Sequence, residues 1–476
     1  MIPFRLKLIR RRALVVAMLW AAAAGTARPA PDGGAISQLQ DALPERSLPG
    51  LDALLRKALV HAPEVIMREW ALAEAGAGAL AARAPMLPRL EAWVNAGATY
   101  EQRREGAYEI NGQTVLADDR DRVLAAVLFN VGFYQPVFHW GALAKNYQIG
   151  KLRQAIAARN ITETRRLLAL DIRRRYLDLM LAENGLQIAR RDLARAGEDH
   201  RQMEQLIADG TQAAASLDGP RRDLDIIRPE VRRQEVECRM LRESLLRLAG
   251  VTAADLDALP GGLPPFAPLD APLDALAGAG AREAAPSNGL ADLRDQIEIE
   301  RLNYNIQKTR LHPKFGVTLS VTQENRAPDN NVLGPKSLIT SWNAFGTMNW
   351  RMFDGAETKG LRLASLNRLR ALETRRVQAE KQEGGEREIE ALRLQLQWER
   401  LKNTEADLGR ARNGLELAGQ DFAGGWASSR AVEDARVHLA NMLRQASAER
   451  AAFASALAAC LSSRGRDPAA SGGGDF

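Results

Sequence analysis

Cysteine is nearly absent: Cys238 and Cys460 are the only two. No disulfide framework can therefore hold this chain together. Histidine is scarce as well, with His61, His139, His200, His312 and His438 scattered along 476 residues. No pair stands at metal-ligand spacing, and no nucleophile–base set accompanies them. Catalytic, cofactor-binding and metal-binding candidates are thus all lacking, which argues against an enzyme. Aromatics make up 5% of the chain. No basic patch interleaves with them, so nucleic acid is not an expected partner. Beyond residue 27 no run of 18 apolar residues occurs, which argues against a transmembrane helix. The alternating glycines of Ala75-Gly76-Ala77-Gly78-Ala79 follow no strand. They read as helix rather than as a dinucleotide-binding loop.

Positive charge is concentrated at the start. Arg5, Lys7, Arg10, Arg11 and Arg12 precede an apolar stretch, Ala13 to Ala24, and the small residues Gly25-Thr26-Ala27. Such a segment is expected to be an export signal removed after Ala27. The net charge of +6 includes these five basic residues, so the chain after them carries about +1. Residues 28–47 read as a flexible N-terminal stretch.

Alanine, leucine, arginine and glutamate dominate the rest of the chain, the composition of extended helices. The pattern is written twice. Gln135-Pro136-Val137-Phe138-His139-Trp140-Gly141 resembles Trp350-Arg351-Met352-Phe353-Asp354-Gly355, with Phe138 and Phe353 215 residues apart. Asp209-Gly210 and Gly424-Gly425 stand at the same offset. Between these markers Leu179, Ala182, Leu186, Ala189, Leu193 and Ala196 step by three and four residues. The same offset gives Leu394, Gln397, Leu401, Thr404, Leu408 and Ala411. The two seams coincide without an insertion. Residues 48–259 form a first repeat, 260–287 a Pro-, Gly- and Ala-rich linker, 288–462 a second repeat, and 463–476 a disordered tail.

Each repeat opens with a helix, 51–84 or 288–310. Prolines close it, in Pro85-Met86-Leu87-Pro88 or Leu311-His312-Pro313. Alternation then replaces the helical period. Phe315, Val317, Leu319 and Val321 alternate with Gly316, Thr318, Ser320 and Thr322, giving one apolar and one polar face. Strands are expected at about 89–100, 122–136, 314–322 and 338–352, with polar loops at about 101–121 and 323–337. Tyr100, Phe133, Tyr134, Trp140, Trp342 and Trp350 lie where membrane-interface girdles would form; the same pattern also fits an ordinary soluble sheet. Four strands cannot close a pore, and open edges are forbidden in lipid, so a barrel requires strands from several protomers.

A long helix follows each strand pair. At ~1.5 Å per residue, residues 142–208 reach on the order of 100 Å. The chain turns at Gly210 in one repeat and Gly425 in the other, then returns through a second helix. The seams pair the two helices as a coiled hairpin. Cys238 and Cys460 sit on the returning seams and read as small buried hydrophobes. His200 reads as a tolerated polar seam residue. In the first tip, Asp218 is expected to cap a helix whose first turn holds Pro220.

This order resembles the TolC-like outer-membrane efflux proteins over about residues 48–462. The stretch from Leu51-Asp52-Ala53-Leu54-Leu55 to His61-Ala62-Pro63-Glu64, Met86-Leu87-Pro88-Arg89-Leu90, and Phe353-Asp354-Gly355 look like family hallmarks. The resemblance implies a mainly α fold with a transmembrane β-barrel portion, two repeats of strand pair plus helical hairpin, and a homotrimeric β-barrel/α-barrel channel-tunnel. It implies an outer-membrane location reaching into the periplasm, contact with outer-membrane lipid, and no cofactor. The partners it implies are a periplasmic adaptor protein, docked at the tips near Gly210 and Gly425, and an inner-membrane transporter. The duct would be passive, serving tripartite efflux or type I secretion, with a drug, a metal ion or a polypeptide as cargo. Aligned on Gly425, Asp434 matches one of the aspartates that narrow the family's periplasmic entrance, while Ala431 stands where another acid is expected. Three copies of Asp434 around an axis would favour cations. Glu433 and Asp434 also fit a plain solvated helix face. The competing class is a soluble periplasmic coiled-coil adaptor or structural protein.

Overall fold

The structure is a computed structural model. It describes residues 33–469 apart from 104–107, 116–119, 254–255, 257–258, 261–262, 271–272, 274–286 and 327–336. The expected export signal, 1–27, lies outside the described residues. The chain forms two compact units. One gathers residues 1–66, 162–287 and 381–476; the other gathers 67–161 and 288–380.

The second unit carries the strands: β1 (Arg89–Arg103), β2 (Tyr108–Ile110), β3 (Gln113–Val115), β4 (Arg120–Phe138), β5 (Lys314–Arg326) and β6 (Ser337–Asn349). Four of them make one antiparallel sheet in the order β1-β4-β5-β6, so β1 and β6 are its edges. The expected polar loop after β1 contains the small hairpin β2-β3 instead. Its turn is Asn111-Gly112, with φ of 54° and 76°, a dipeptide suited to two left-handed residues.

The register sorts the side chains by face. Leu90 faces Phe133, Phe133 faces Leu319, and Leu319 faces Ala344. Trp93, Asn130, Thr322 and Ser341 line up on the other face, where Asn130 Nδ2 donates to Thr322 Oγ1 at 2.7 Å. Val127, Phe129, Val317, Leu319, Trp342 and Met348 are exposed, whereas Asn130, Thr318, Ser320, Thr322, Asn343 and Thr347 are half-buried. A sheet curved toward its polar side has this asymmetry. Tyr134 follows Phe133 and so lies on the opposite, polar face, which removes it from the expected girdle. A Cβ on Gly316 would come within 2.6 Å of its ring, so glycine makes the seat for that tyrosine.

Helices complete this unit. α4 (Pro63–Arg83) contributes all but its first turn, and α7 (Asn288–Lys308) belongs to it throughout. Each strand pair leads into a 67-residue helix, α5 (Ala142–Ala208) or α8 (Glu357–Ala423). Gly150 on α5 lets α4 approach closely, since a Cβ there would lie 3.0 Å from Ala79 Cα. The helix-to-strand breaks are tied alike in both repeats. Gln135 Nε2 donates to the Met86 carbonyl at 3.2 Å, and Trp350 Nε1 donates to the Leu311 carbonyl at 3.0 Å.

The first unit is helical. It includes α1 (Gly33–Asp41), α2 (Pro44–Ser47), α3 (Pro49–His61), α6 (Asp218–Ala249) and α9 (Ser429–Ser463). The spacing predicts a single helix over 51–84, but α3 ends at His61 and Ala62 is extended. Pro63, lacking an N–H, begins α4 instead. Leu51, Leu54, Leu55 and Ala58 bury one stripe of α3 against Ile172, Tyr176, Leu179 and Leu245. The seams are buried as their spacing predicts. Leu186 and Ala189 pack with Val231 and Cys238; Leu394 and Leu401 pack with Leu457 and Cys460. Burial pushes the Cys460 thiol up to about 11. No described helix is long and apolar enough to cross a membrane.

Segments that composition marks as flexible are packed in this unit. Leu39 and Leu43 of the N-terminal stretch, and Leu269 and Leu273 of the linker, are buried with Phe453 and Leu461. Beyond Ser463, in the stretch expected to be disordered, Asp467 and Ala469 are buried as well. Each leucine pair stands four residues apart, a single helical step too short to mark a packed segment; its tertiary partners place it.

Candidate functional site

Two places concentrate unusual geometry: the hairpin tips and the starts of the long helices. At the first tip Gly210 N–H donates to Ile207 O, and the N–H groups of Thr211 and Gln212 both donate to Leu206 O. At the second, Gly425 donates to Phe422 O, and Trp426 and Ala427 both donate to Asp421 O. The pattern is the same bond for bond at the 215-residue offset. Gly210 and Gly425, with φ of 71° and 77°, supply the left-handed residue that ends each helix.

The side chains on these matched backbones differ. Thr211 turns its hydroxyl inward to donate to Leu206 O at 2.7 Å. Trp426, its counterpart, is 88% exposed. Gly424 allows that indole to fold back, because a Cβ there would meet Trp426 Cδ1 at 2.8 Å. Ser428 then caps α9, its Oγ accepting from the Ala431 N–H. After the first tip no such cap exists. A 3-10 turn, Ala214–Leu217, runs directly into α6, so Asp218 lies inside the helix rather than capping it.

Glu433 and Asp434 sit one turn into α9. Asp434 is exposed. Glu433 accepts a hydrogen bond from Arg195 of α5, which ties the two hairpins together. That bond, with the Arg195 and Arg436 charges, holds the Glu433 carboxyl below its ordinary range. Arg195 was not legible as a partner, being one of many arginines on exposed helix faces. On the first seam His200 contacts Glu204, at 3.6 Å. Among the described residues no three His, Cys, Asp or Glu side chains gather as a metal site.

The helix starts share a second repeated device. Trp140 and Gly141 have φ of 56° and 73°; Gly355 and Ala356 have 61° and 71°. Two successive left-handed residues thus turn the chain from strand into helix in both repeats. Asp354 then caps α8, its Oδ2 accepting from the Thr358 N–H at 3.0 Å and from the Thr358 hydroxyl. That hydrogen bonding keeps the Asp354 carboxyl below its usual range. The Phe353-Asp354-Gly355 hallmark is therefore a corner and a cap.

Residues 54–236 match the family described as outer membrane efflux protein. No curated protein sequence matches the chain. Among solved structures, the outer membrane protein VceC of Vibrio cholerae is similar at 17% identity. The match covers 88% of this chain and 97% of VceC, with a TM-score of 0.66. The CmeC outer membrane channel of Campylobacter jejuni matches at 13% identity over 88% of this chain and 86% of its own, with a TM-score of 0.67. The open-state MtrE outer membrane channel of Neisseria gonorrhoeae matches at 13% identity over 88% and 89%, with a TM-score of 0.62. Most of the first repeat, residues 54–236, thus carries the outer membrane efflux protein pattern, within a chain that has the fold of these outer-membrane channels.

Proposed function

We propose that this chain is the protomer of an outer-membrane exit duct. It would work passively, receiving cargo from an inner-membrane transporter through a periplasmic adaptor. One observation carries the reading: a four-stranded sheet with exposed apolar rows on one face, the half-buried polar residues Asn130, Thr322 and Asn343 on the other, and two open edges, β1 and β6. In lipid those edges must be paired, and copies of the same chain supply the missing strands. Three protomers would close a twelve-stranded barrel with the polar rows of Asn130, Thr322 and Asn343 toward the pore. The family match supports the same reading.

The tips near Gly210 and Gly425 are the proposed adaptor contacts, because they end the hairpins on matched backbones. Asp434 is the proposed gate residue: it is exposed beside the Arg195–Glu433 tie, where an acid would be repeated around the axis. Membrane fractionation tests the reading. Heat-modifiable trimers in the outer-membrane fraction, opening conductive pores in planar bilayers, are expected. A protein found wholly soluble in the periplasm would overturn the reading in favour of the competing class, a soluble periplasmic coiled-coil adaptor or structural protein.

A further inference from the structure

One buried charge cluster serves neither the sheet nor the tips. Arg173 is 1% exposed, within the α5 stripe of Ala169, Tyr176 and Met180. Its guanidinium reaches two ways. Nε and Nη2 donate to Glu45 at 3.1 and 2.5 Å, and Nη1 and Nη2 donate to Asp467 at 2.5 and 2.8 Å. Glu45 belongs to α2 and Asp467 to the segment beyond α9. Asp467 also accepts from the Ala469 N–H at 3.0 Å. Burial opposes the Arg173 charge, yet Asp467 and Glu45 hold its pKa above the ordinary value.

The surroundings bind the same segments. Gln40 Nε2 of α1 donates to the Arg466 carbonyl at 2.7 Å. Arg166, one turn-pair earlier on α5, donates to Ser462 Oγ at 3.0 Å, and its own cation feels Asp467. The apolar contacts run in parallel: Leu39 and Leu43 pack with Phe453, Leu457 and Leu461, and Leu48 and Ala469 share the neighbouring cluster.

We infer that Arg173 is the pin of a clasp that makes packing of residues 33–48 conditional on the segment around Asp467. Glu45 precedes Arg173 by 128 residues and Asp467 follows it by 294. The N-terminal segment is therefore made long before its clasp can close. Without Asp467, one face of a bidentate guanidinium is left buried without a carboxylate, an arrangement far weaker than either the full cluster or an apolar one. The clasp thereby separates chains made through residue 467 from chains that stop short.

The test uses the full-length protein in detergent. Trypsin cleavage after Arg46, an exposed residue of α2, reads release of the N-terminal segment. Asp467→Asn is expected to speed that cleavage about tenfold while cleavage sites within α6 stay at the wild-type rate. Arg173→Lys, which keeps the charge but loses the two-sided fork, is the milder variant and should speed it about threefold. In an Arg173→Met background, Asp467→Asn should add little, because the pin is already gone. Unchanged cleavage after Arg46 in both single variants would overturn the inference. So would equal acceleration at Arg46 and within α6, which marks general loosening.

Discussion

Gly250 offers a direct measure of how tightly the helical unit is closed. It ends α6 with φ of 66°, its N–H donating to Leu246 O. A Cβ there would stand 2.7 Å from the His61 carbonyl oxygen, 3.0 Å from Pro63 Cδ and 3.2 Å from Ala62 Cα. Most of those atoms are backbone at the α3–α4 junction, where Ala62 and Val65 are fully buried. Gly465 is the matched control: it follows α9 in the same unit with φ of 67°, and a Cβ there would meet nothing within 4 Å. Both Gly→Ala substitutions incur the left-handed penalty of roughly 1–2 kcal/mol, partly offset by about 0.4–1 kcal/mol from the stiffer unfolded chain. Gly465→Ala should therefore cost about 1 kcal/mol or less. Gly250→Ala adds overpacking of about 1–3 kcal/mol, for a total near ~3 kcal/mol. Urea unfolding of the detergent-solubilised protein, followed by helical circular dichroism, compares the two midpoints. Equal shifts would refute the close approach of α6 to the α3–α4 junction.

Further outcomes rest on the same geometry. Ala356→Gly should raise stability by about 1 kcal/mol or less, the relief of a left-handed alanine reduced by the looser unfolded chain; the same unfolding assay reads it. Asp434→Ala should raise single-channel conductance or weaken cation blockade in planar bilayers, and unchanged currents would remove Asp434 from the gate. The Arg195–Glu433 tie should survive as pH falls through the ordinary carboxylate range. A depressed carboxyl keeps its contribution above its normal pKa and loses it only as pH drops through the lower folded value. Spin-label distances between α5 and α9 near the tips should lengthen only below that range. Cys460 should resist maleimide at pH 8 in the folded protein and react after denaturation, as mass shifts would record.

Much of this architecture was legible because its signals are periodic. The seam from Leu179 to Ala196 and its copy from Leu394 to Ala411 needed only spacing, and strand alternation located both sheet faces. What stayed hidden depends on distant partners. Leu39 with Leu43 and Leu269 with Leu273 show one helical step each, too short a pattern to foretell burial without the core they meet. Arg173 lies in a run of three arginines, of which it alone is fully buried. Its place on a stripe with Ala169, Tyr176 and Met180 was a readable signal, overshadowed by the rule that arginine faces water. The Asn111-Gly112 turn is likewise present in the letters, inside a stretch whose polarity reads as loop. Gly210 and Gly425 were legible as hairpin turns, because a left-handed helix end favours glycine. Trp426 and Arg195 were not, since nothing local distinguishes them.

The paired corners before α5 and α8 have one more consequence. Both need two left-handed residues in succession, yet glycine fills the second place in one and the first in the other. The duplicated halves have therefore drifted in their letters while holding one path of the chain. Kinship of this kind survives in shape after it has faded from spelling. The family pattern is matched over residues 54–236, while the likeness to solved channels extends across 88% of the chain.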